Sequence, residues 1–92
     1  MKFEAKHTRS FAGNDVSVTV SADENESITM VSVSLDGASL EEKPLSEGTE
    51  QYIGEFSGVG DAAPGKKHEL LVAAWDQSNR KHSSTTQWTD LI

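Results

Sequence analysis

The chain has 92 residues, 35% of them hydrophobic and 25% charged, and its formal net charge is −7. A chain of this length forms one domain and buries roughly 60–65% of its unfolded surface, which leaves little room for a deep internal cavity. The negative charge argues against a nucleic-acid partner, because phosphate binding requires clustered Lys and Arg. We therefore expect a single domain, residues 1–92, with a small core.

The chain has no cysteine, so neither a disulfide framework nor a thiolate metal site is available. No apolar stretch approaches the roughly 20 residues that span a bilayer. The first ten residues, MKFEAKHTRS, lack the apolar segment of a signal peptide. Three sources remain open: a cytosolic protein, a protein exported by another route, or a module cut from a longer secreted protein.

Acidic residues are concentrated in the middle of the chain, where Lys43 is the only basic residue between Asp23 and Asp61. A solvated acidic face that aids solubility is the simpler interpretation. The alternative is a docking face for a basic partner.

Period-two patterns dominate the chain, and each predicts a strand with one buried face. Residues 2–9 (KFEAKHTR) alternate weakly and predict a first, edge strand. Valines at every second position predict a second strand at 15–23 (DVSVTVSAD). A third strand is predicted within 27–37 (SITMVSVSLDG), where a β-bulge near Met30 reconciles the phase of Ile28 with that of the later valines.

A hairpin signal follows the third strand. Asp36-Gly37 predicts a two-residue turn, because both central positions of that turn favour positive φ. Residues 38–45 (ASLEEKPL) are the predicted return strand, an edge strand ended by Pro44. A helical turn over 39–47 is the competing interpretation.

The remaining strands are separated by turn signals, among them Pro64-Gly65 in the loop DAAPGKK. We predict them at residues 47–60, 68–76 and 83–92. About seven short strands at intervals of roughly 8–12 residues predict an all-β fold, an immunoglobulin-like antiparallel β-sandwich.

Three segments, ITMVSVSLDGASL, YIGEFSGV and HELLVAAWDQSNRKHSS, resemble the bacterial immunoglobulin-like and fibronectin type III-like modules of surface and secreted proteins. The resemblance covers roughly residues 15–90. It implies a β-sandwich without a cofactor, acting as a spacer, adhesion unit or interaction domain in an extracellular or cell-envelope protein. The chain departs from that pattern at His68, which stands where a tyrosine-corner residue would lie, and at Ser78, which replaces the usual Gly of the last turn.

Asp76 ends an apolar run and has two interpretations. It is either a catalytic carboxylate or Ca²⁺ ligand, with Asn79 as a companion, or the residue that caps the following turn by accepting backbone N–H groups. Because Asp76 shares a face with Leu70, we expect a turn-capping carboxylate at the rim of the core. Asp23, Asp61 and Asp76 are the candidate Ca²⁺ ligands, although no EF-hand or comparable spacing is present.

Other catalytic and metal chemistry has weaker support. A zinc site would need clustered His or Cys, and the three histidines are scattered along the chain, at His7, His68 and His82. His82 precedes Ser83 and Ser84, but neither a nucleophile elbow nor a glycine-rich phosphate loop is present. We therefore expect no enzymatic activity, no metal and no cofactor.

The aromatic residues divide into two groups. Tyr52, Phe56 and Trp88 fall on faces where core aromatic residues are expected. Trp75 lies with Leu71 on the face opposite Leu70, Val72 and Ala74. An exposed Leu71–Trp75 pair would mark an interface, unless neighbouring side chains or the first strand, through Phe3 and Phe11, cover it.

These observations predict a non-enzymatic structural or interaction module, with Leu71 and Trp75 as the binding face and Lys66 and Lys67 as its polar rim. Its partner would be another protein or a neighbouring domain. The loops at 23–27 and 61–67 are further candidates for contact. A carbohydrate ligand stacked on Trp75 is the alternative, and a small metal-dependent hydrolase built from Asp76, His68 and His82 is the weakest hypothesis.

Overall fold

The computed structural model describes residues 1–10, 13–60 and 63–90. The described residues form seven strands: β1 (Lys2–Ser10), β2 (Gly13–Ser21), β3 (Ile28–Leu35), β4 (Ala38–Pro44), β5 (Gln51–Val59), β6 (Lys67–Asp76) and β7 (Lys81–Thr89). All seven predicted strands are confirmed. The clearest boundary differences are at β5, which begins at Gln51 instead of residue 47, and at β7, which begins two residues earlier than predicted and ends at Thr89. Within the described part of the chain, no helix is long and apolar enough to cross a bilayer.

The strands form two antiparallel sheets, with orders β1-β2-β5 and β4-β3-β6-β7. The predicted immunoglobulin-like sandwich is therefore confirmed. In a constant-type immunoglobulin domain the fourth strand joins the first sheet, whereas here β4 pairs with β3. The cause is the predicted two-residue hairpin, in which Asp36 has φ 52° and Gly37 has φ 84°. So short a connection holds β4 beside β3.

The core lies between the sheets and is built mainly from alternate residues of β2, β3 and β6. Strict alternation is what allows each strand to contribute one complete apolar face. The fully buried members, each at most 5% exposed, are Val16, Val18, Val20, Ile28, Val31, Val33, Leu35, Tyr52, Leu70, Val72 and Ala74. Phe56 and Trp88 pack against this cluster, as predicted.

The β-bulge predicted near Met30 is confirmed one residue earlier. Ile28 pairs with Asp76 and Met30 with Trp75, so Thr29 is the extra residue. The Thr29 hydroxyl donates to the backbone oxygens of Trp75 and Asp76, at 3.2 and 3.3 Å. The bulge therefore moves Ile28 into the core and is held by the strand that it distorts.

Different contacts join the two sheets at their two open edges. At the β4–β5 edge, the Tyr52 hydroxyl donates to the Glu41 carboxylate, and burial together with that carboxylate raises the pKa of Tyr52. At the β1–β7 edge, the His7 and Trp88 rings stack with centroids 4.2 Å apart. The predicted edge positions of β1 and β4 are confirmed.

Gly54 makes room for the Tyr52 ring, and we expect Gly54→Ala to lower the free energy of unfolding by about 1–3 kcal/mol. An added Cβ would overlap the Tyr52 hydroxyl and lie 3.1 Å from Cε2 of Phe56. Urea-induced unfolding followed by circular dichroism measures the change. Ser57→Ala, at an exposed position of the same strand, is the matched control. A loss below about 0.5 kcal/mol would show that the ring simply moves aside.

Candidate functional site

The outer face of the four-stranded sheet, hereafter the outer face, carries the predicted binding residues. Its centre consists of short side chains on β3, β6 and β7: Ser32, Ser34, Ala73, Ser83 and Thr85. Trp75 lies at one end, between Met30 and Lys81 on the neighbouring strands. The result is a flat surface with an aromatic residue at one end.

Leu71 and Trp75 differ in accessibility. Leu71 is 39% exposed and is one of two large hydrophobic side chains exposed among the described residues, the other being Ile53 at 61%. Trp75 is partly buried, and the Lys81 ammonium lies 5.6 Å from the centroid of its ring. Ala73, between them, is only 4% exposed. Leu71 is thus open to solvent, whereas Trp75 is partly covered by its own sheet.

The first strand does not cover Leu71 and Trp75, contrary to the alternative that the sequence left open. β1 belongs to the other sheet, and Phe3 packs against the core. Phe11, the other aromatic residue considered, lies outside the described residues.

The structure does not bring Lys66 and Lys67 to Trp75. Lys67 is the first residue of β6 and Trp75 the ninth, so about 26 Å separates them along the strand. Lys66 lies one residue further away. Lys67 therefore lies at the other end of the outer face from Trp75, because a strand places its two ends on opposite sides of a domain, and the rim formed by these two lysines stays a prediction. Lys81 is the cation beside Trp75 instead.

Asp76 caps the turn between β6 and β7, as predicted. It is 1% exposed, and its Oδ1 accepts the backbone N–H groups of Ser78 and Arg80 at 2.8 and 3.0 Å. Its Oδ2 faces the Nε of Arg80 at 3.2 Å and the Nε2 of His82 at 3.0 Å. The His82 contact and these backbone hydrogen bonds lower the pKa of Asp76 to about 2.

The candidate Ca²⁺ ligands do not converge in the described structure. The Asp23 carboxylate pairs with the amino group of Met1 at 2.5 Å and is 69% exposed. Asp76 instead lies with Glu26 and His82. Asp61 is outside the described residues.

The opposite end of the sandwich holds a buried ionic cluster, hereafter the His68 cluster, that sequence reasoning missed. The His68 ring lies between two carboxylates, with Nδ1 2.7 Å from Asp36 and Nε2 2.8 Å from Asp90. The side chains of His68 and Asp90 are 0% and 2% exposed, and that of Asp36 is 32% exposed. The Asn14 amide also approaches Nε2, at 3.4 Å.

The His68 cluster shifts the ionisation of its members. Burial opposes the charged form of His68, but hydrogen bonds to Asp90 and Asp36 outweigh it and raise the pKa of His68. For Asp36 the backbone N–H of Glu69, and then His68, outweigh the effect of burial and lower the pKa. For Asp90 the hydrogen bond with His68 is the main cause of its lowered pKa. A carboxylate at each ring nitrogen therefore favours the imidazolium form of His68, which is how buried charges are normally stabilised.

The His68 cluster also ties loops to strands. The Asp36 carboxylate accepts the backbone N–H of Glu69 at 2.8 Å, and the Asp90 carboxylate accepts that of Ala63 at 3.2 Å. The alternation of β6 puts His68 on the core face with Leu70, and a histidine on a core face was the sequence feature that could have indicated a buried polar cluster. Its acidic partners depend on β3 and β7 both flanking β6.

The cluster required by the hydrolase hypothesis does not form. Asp76 and His82 are adjacent, but His68 lies eight residues back along β6, about 26 Å from Asp76. Asp76, His68 and His82 cannot act on one substrate at that separation.

Comparisons with known proteins agree with this architecture. No protein-family model matches the chain, and no curated protein matches it. A solved structure of fibronectin(III)-like modules of Clostridium thermocellum CbhA is similar, with a TM-score of 0.53 and 19% sequence identity, over 96% of this chain and 97% of that chain. The chain therefore has the immunoglobulin-like β-sandwich fold of a fibronectin type III-like module.

Proposed function

We propose that this protein is a non-enzymatic interaction module of a bacterial surface or secreted protein, and that its outer face docks against a protein surface, either a partner or a neighbouring domain. The observation that carries the proposal is the exposure of Leu71, at 39%, on a flat face beside the partly open Trp75. The similar solved structure is of modules from a bacterial protein, which supports a place for this chain as a module of a larger bacterial protein.

The charge distribution of the outer face favours a protein partner. Its charged residues are two acids and two lysines, Glu42, Glu69, Lys67 and Lys81, which sum to zero. The chain as a whole carries −7, with much of its acid in turns and loops, such as Asp23, Glu24 and Glu47. A neutral face avoids the cost of desolvating unpaired charges on docking.

The dimensions of the outer face also suit contact between domains. Four strands about 4.8 Å apart and about 26 Å long give an area on the order of 500 Å². Interfaces between domains of one chain bury about 600–1,500 Å² in total, counting both sides. The outer face therefore supplies one side of such an interface.

Carbohydrate binding through Trp75 is the weaker alternative. A sugar ring stacks on an open aromatic face, but the Lys81 ammonium lies over the Trp75 ring, 5.6 Å from its centroid. A sugar would have to displace that cation–π contact, which contributes about 0.5–1 kcal/mol at an exposed site.

Site-specific photocrosslinking in the full parental polypeptide tests the proposal. A photoreactive residue at position 71 is expected to give crosslinks to one defined protein surface. The matched control is position 53, since Ile53 is more exposed but lies on the other sheet. Trp75→Ala should abolish the crosslinks from position 71, because interface aromatics dominate binding energy.

Two outcomes would overturn the proposal. Crosslinks from position 53 but not from position 71 would assign the interface to the other sheet. Retardation by a soluble polysaccharide in affinity electrophoresis, lost in Trp75→Ala, would favour the carbohydrate alternative.

A further inference from the structure

Three potential metal ligands from separate segments meet at the Asp76 end of the sandwich. They are Glu26 from the β2–β3 loop, Asp76 at the end of β6 and His82 near the start of β7, and one ligand atom from each lies within 4.8 Å of the others. Nε2 of His82 is 3.0 Å from Oδ2 of Asp76 and 3.8 Å from Oε2 of Glu26. Ligands of a tetrahedral ion at about 2.0–2.1 Å are about 3.3–3.5 Å apart. The two spacings from His82 bracket that value, and the two carboxylate oxygens lie within 4.8 Å of each other.

Both carboxylates are oriented by contacts to their other oxygen. Oδ1 of Asp76 accepts two backbone N–H groups from its own turn, and Oε1 of Glu26 accepts the backbone N–H of Asp23 at 3.1 Å. These contacts leave Oδ2 and Oε2 turned toward His82. Hydrogen bonds that orient the ligands are a general feature of protein metal sites.

The donor set selects the class of ion. Ca²⁺ takes six to eight oxygen ligands, whereas these residues offer one imidazole nitrogen and two carboxylates. Imidazole and carboxylate donors suit Zn²⁺ and neighbouring first-row divalent ions, and three protein ligands leave a fourth position open.

We propose that Glu26, Asp76 and His82 form a binding site for a divalent transition-metal ion such as Zn²⁺. The ion would join the β2–β3 loop to the β6–β7 turn and leave one position for water or for a ligand from another molecule. The Met1 amino group pairs with Oε1 of Glu26 at 3.1 Å, on the side away from His82. At Asp76 the competing cation is Arg80, with its Nε 3.2 Å from Oδ2. Its side chain is 73% exposed, so it can move into solvent when the ion enters.

Titration with Zn²⁺ alone, by isothermal calorimetry on chelator-treated protein, tests the proposal. We expect one ion per chain, with the melting temperature raised by about 10 °C or more when free Zn²⁺ is about 100 times Kd. His82→Gln and Glu26→Gln should each weaken binding by at least the 10–100-fold that loss of an orienting contact causes.

Matched variants separate this site from nonspecific binding. His7→Gln and Glu24→Gln alter a histidine and a loop acid outside the cluster, and both should keep the affinity of the unmodified chain. Arg80→Gln removes the competing cation and should raise the affinity several-fold. This expected rise in affinity tests the site without removing any of the three proposed ligands.

Nitrogen-15 spectra of the three imidazole rings supply a readout on the unmodified chain. Zn²⁺ should shift Nε2 of His82 and leave the buried His68 unchanged. The proposal is overturned if Zn²⁺ at about 1 mM, a concentration that would occupy even a weak surface site, does not bind. Equal affinity in all variants, or a shift of another histidine instead of His82, would also overturn it.

Discussion

Replacing His68 with glutamine is expected to lower the free energy of unfolding by roughly 3–5 kcal/mol, the usual effect of removing one partner from a buried ion pair. The His68 side chain is fully buried and lies within 2.8 Å of both Asp36 and Asp90. Glutamine carries no charge and cannot reach both carboxylates, so Asp90 would remain buried without its cation. Urea denaturation at pH 6 measures the change.

The stability of the unmodified chain is expected to depend on pH through the same residues. Because the pKa of His68 is raised above 6.5 in the folded state, its contribution is complete below pH 6.5 and is lost as the pH rises through the folded value. Asp36 and Asp90 have folded pKa values below 3.8, so their contribution is present above pH 3.8 and is lost on acidification. Stability should therefore be highest between about pH 4 and 6.5.

The variants should change this profile selectively. His68→Gln should remove most of the decline above pH 6.5, whereas His7→Gln, outside the His68 cluster, should retain it. A His68→Gln protein with unchanged stability and an unchanged profile would show that the cluster is solvated and contributes nothing to folding.

Replacing Asp76 with alanine is expected to cause the next largest loss of stability. Alanine leaves the backbone N–H groups of Ser78 and Arg80 without their acceptor in the turn that joins β6 to β7. Unpaired donors of this kind are among the strongest causes of destabilisation. The melting temperature in metal-free buffer measures the effect.

Asp76→Asn separates the turn from the charge. Asparagine retains an Oδ1 acceptor for the two backbone N–H groups but loses the charged oxygen that faces Arg80 and His82. At pH 6 we expect the stability of Asp76→Asn to lie between that of the unmodified chain and that of Asp76→Ala. The pKa of Asp76 is lowered to about 2, so its stabilising effect persists above the ordinary value of 3.8 and disappears as the pH falls through about 2. The unmodified chain and Asp76→Asn should converge there, and a difference that persisted at that pH would contradict the assignment to charge.

Local patterns were sufficient for the strands and for some of their details. Alternation in β2 and β6, positive φ at Asp36 and Gly37, and the phase change before Val31 each depend on neighbouring residues. The turn-capping role of Asp76 is equally local, because the backbone N–H groups that donate to it lie two and four residues ahead. Such features are visible in sequence because the interacting groups are close along the chain.

Contacts between distant residues were not visible in the same way. The sequence predicts Lys66 and Lys67 as the polar rim of the Leu71–Trp75 face, and only the structure shows that the length of β6 separates Lys67 from the Trp75 ring. The cation beside Trp75 is Lys81, since β7 pairs with β6 and places the two residues opposite each other.

Local sequence patterns were enough to predict an antiparallel β-sandwich, a turn at Asp36-Gly37, and the placement of Leu71 and Trp75 on the face away from the core. Those properties follow from side-chain period and turn conformation, which act over a few residues. The position of His68 between Asp36 and Asp90, and that of Glu26 beside Asp76 and His82, depend instead on how the strands are arranged in the fold. His68 lies 32 and 22 positions from Asp36 and Asp90, and Glu26 lies 50 and 56 positions from Asp76 and His82, so strand order is what places these charges within contact distance.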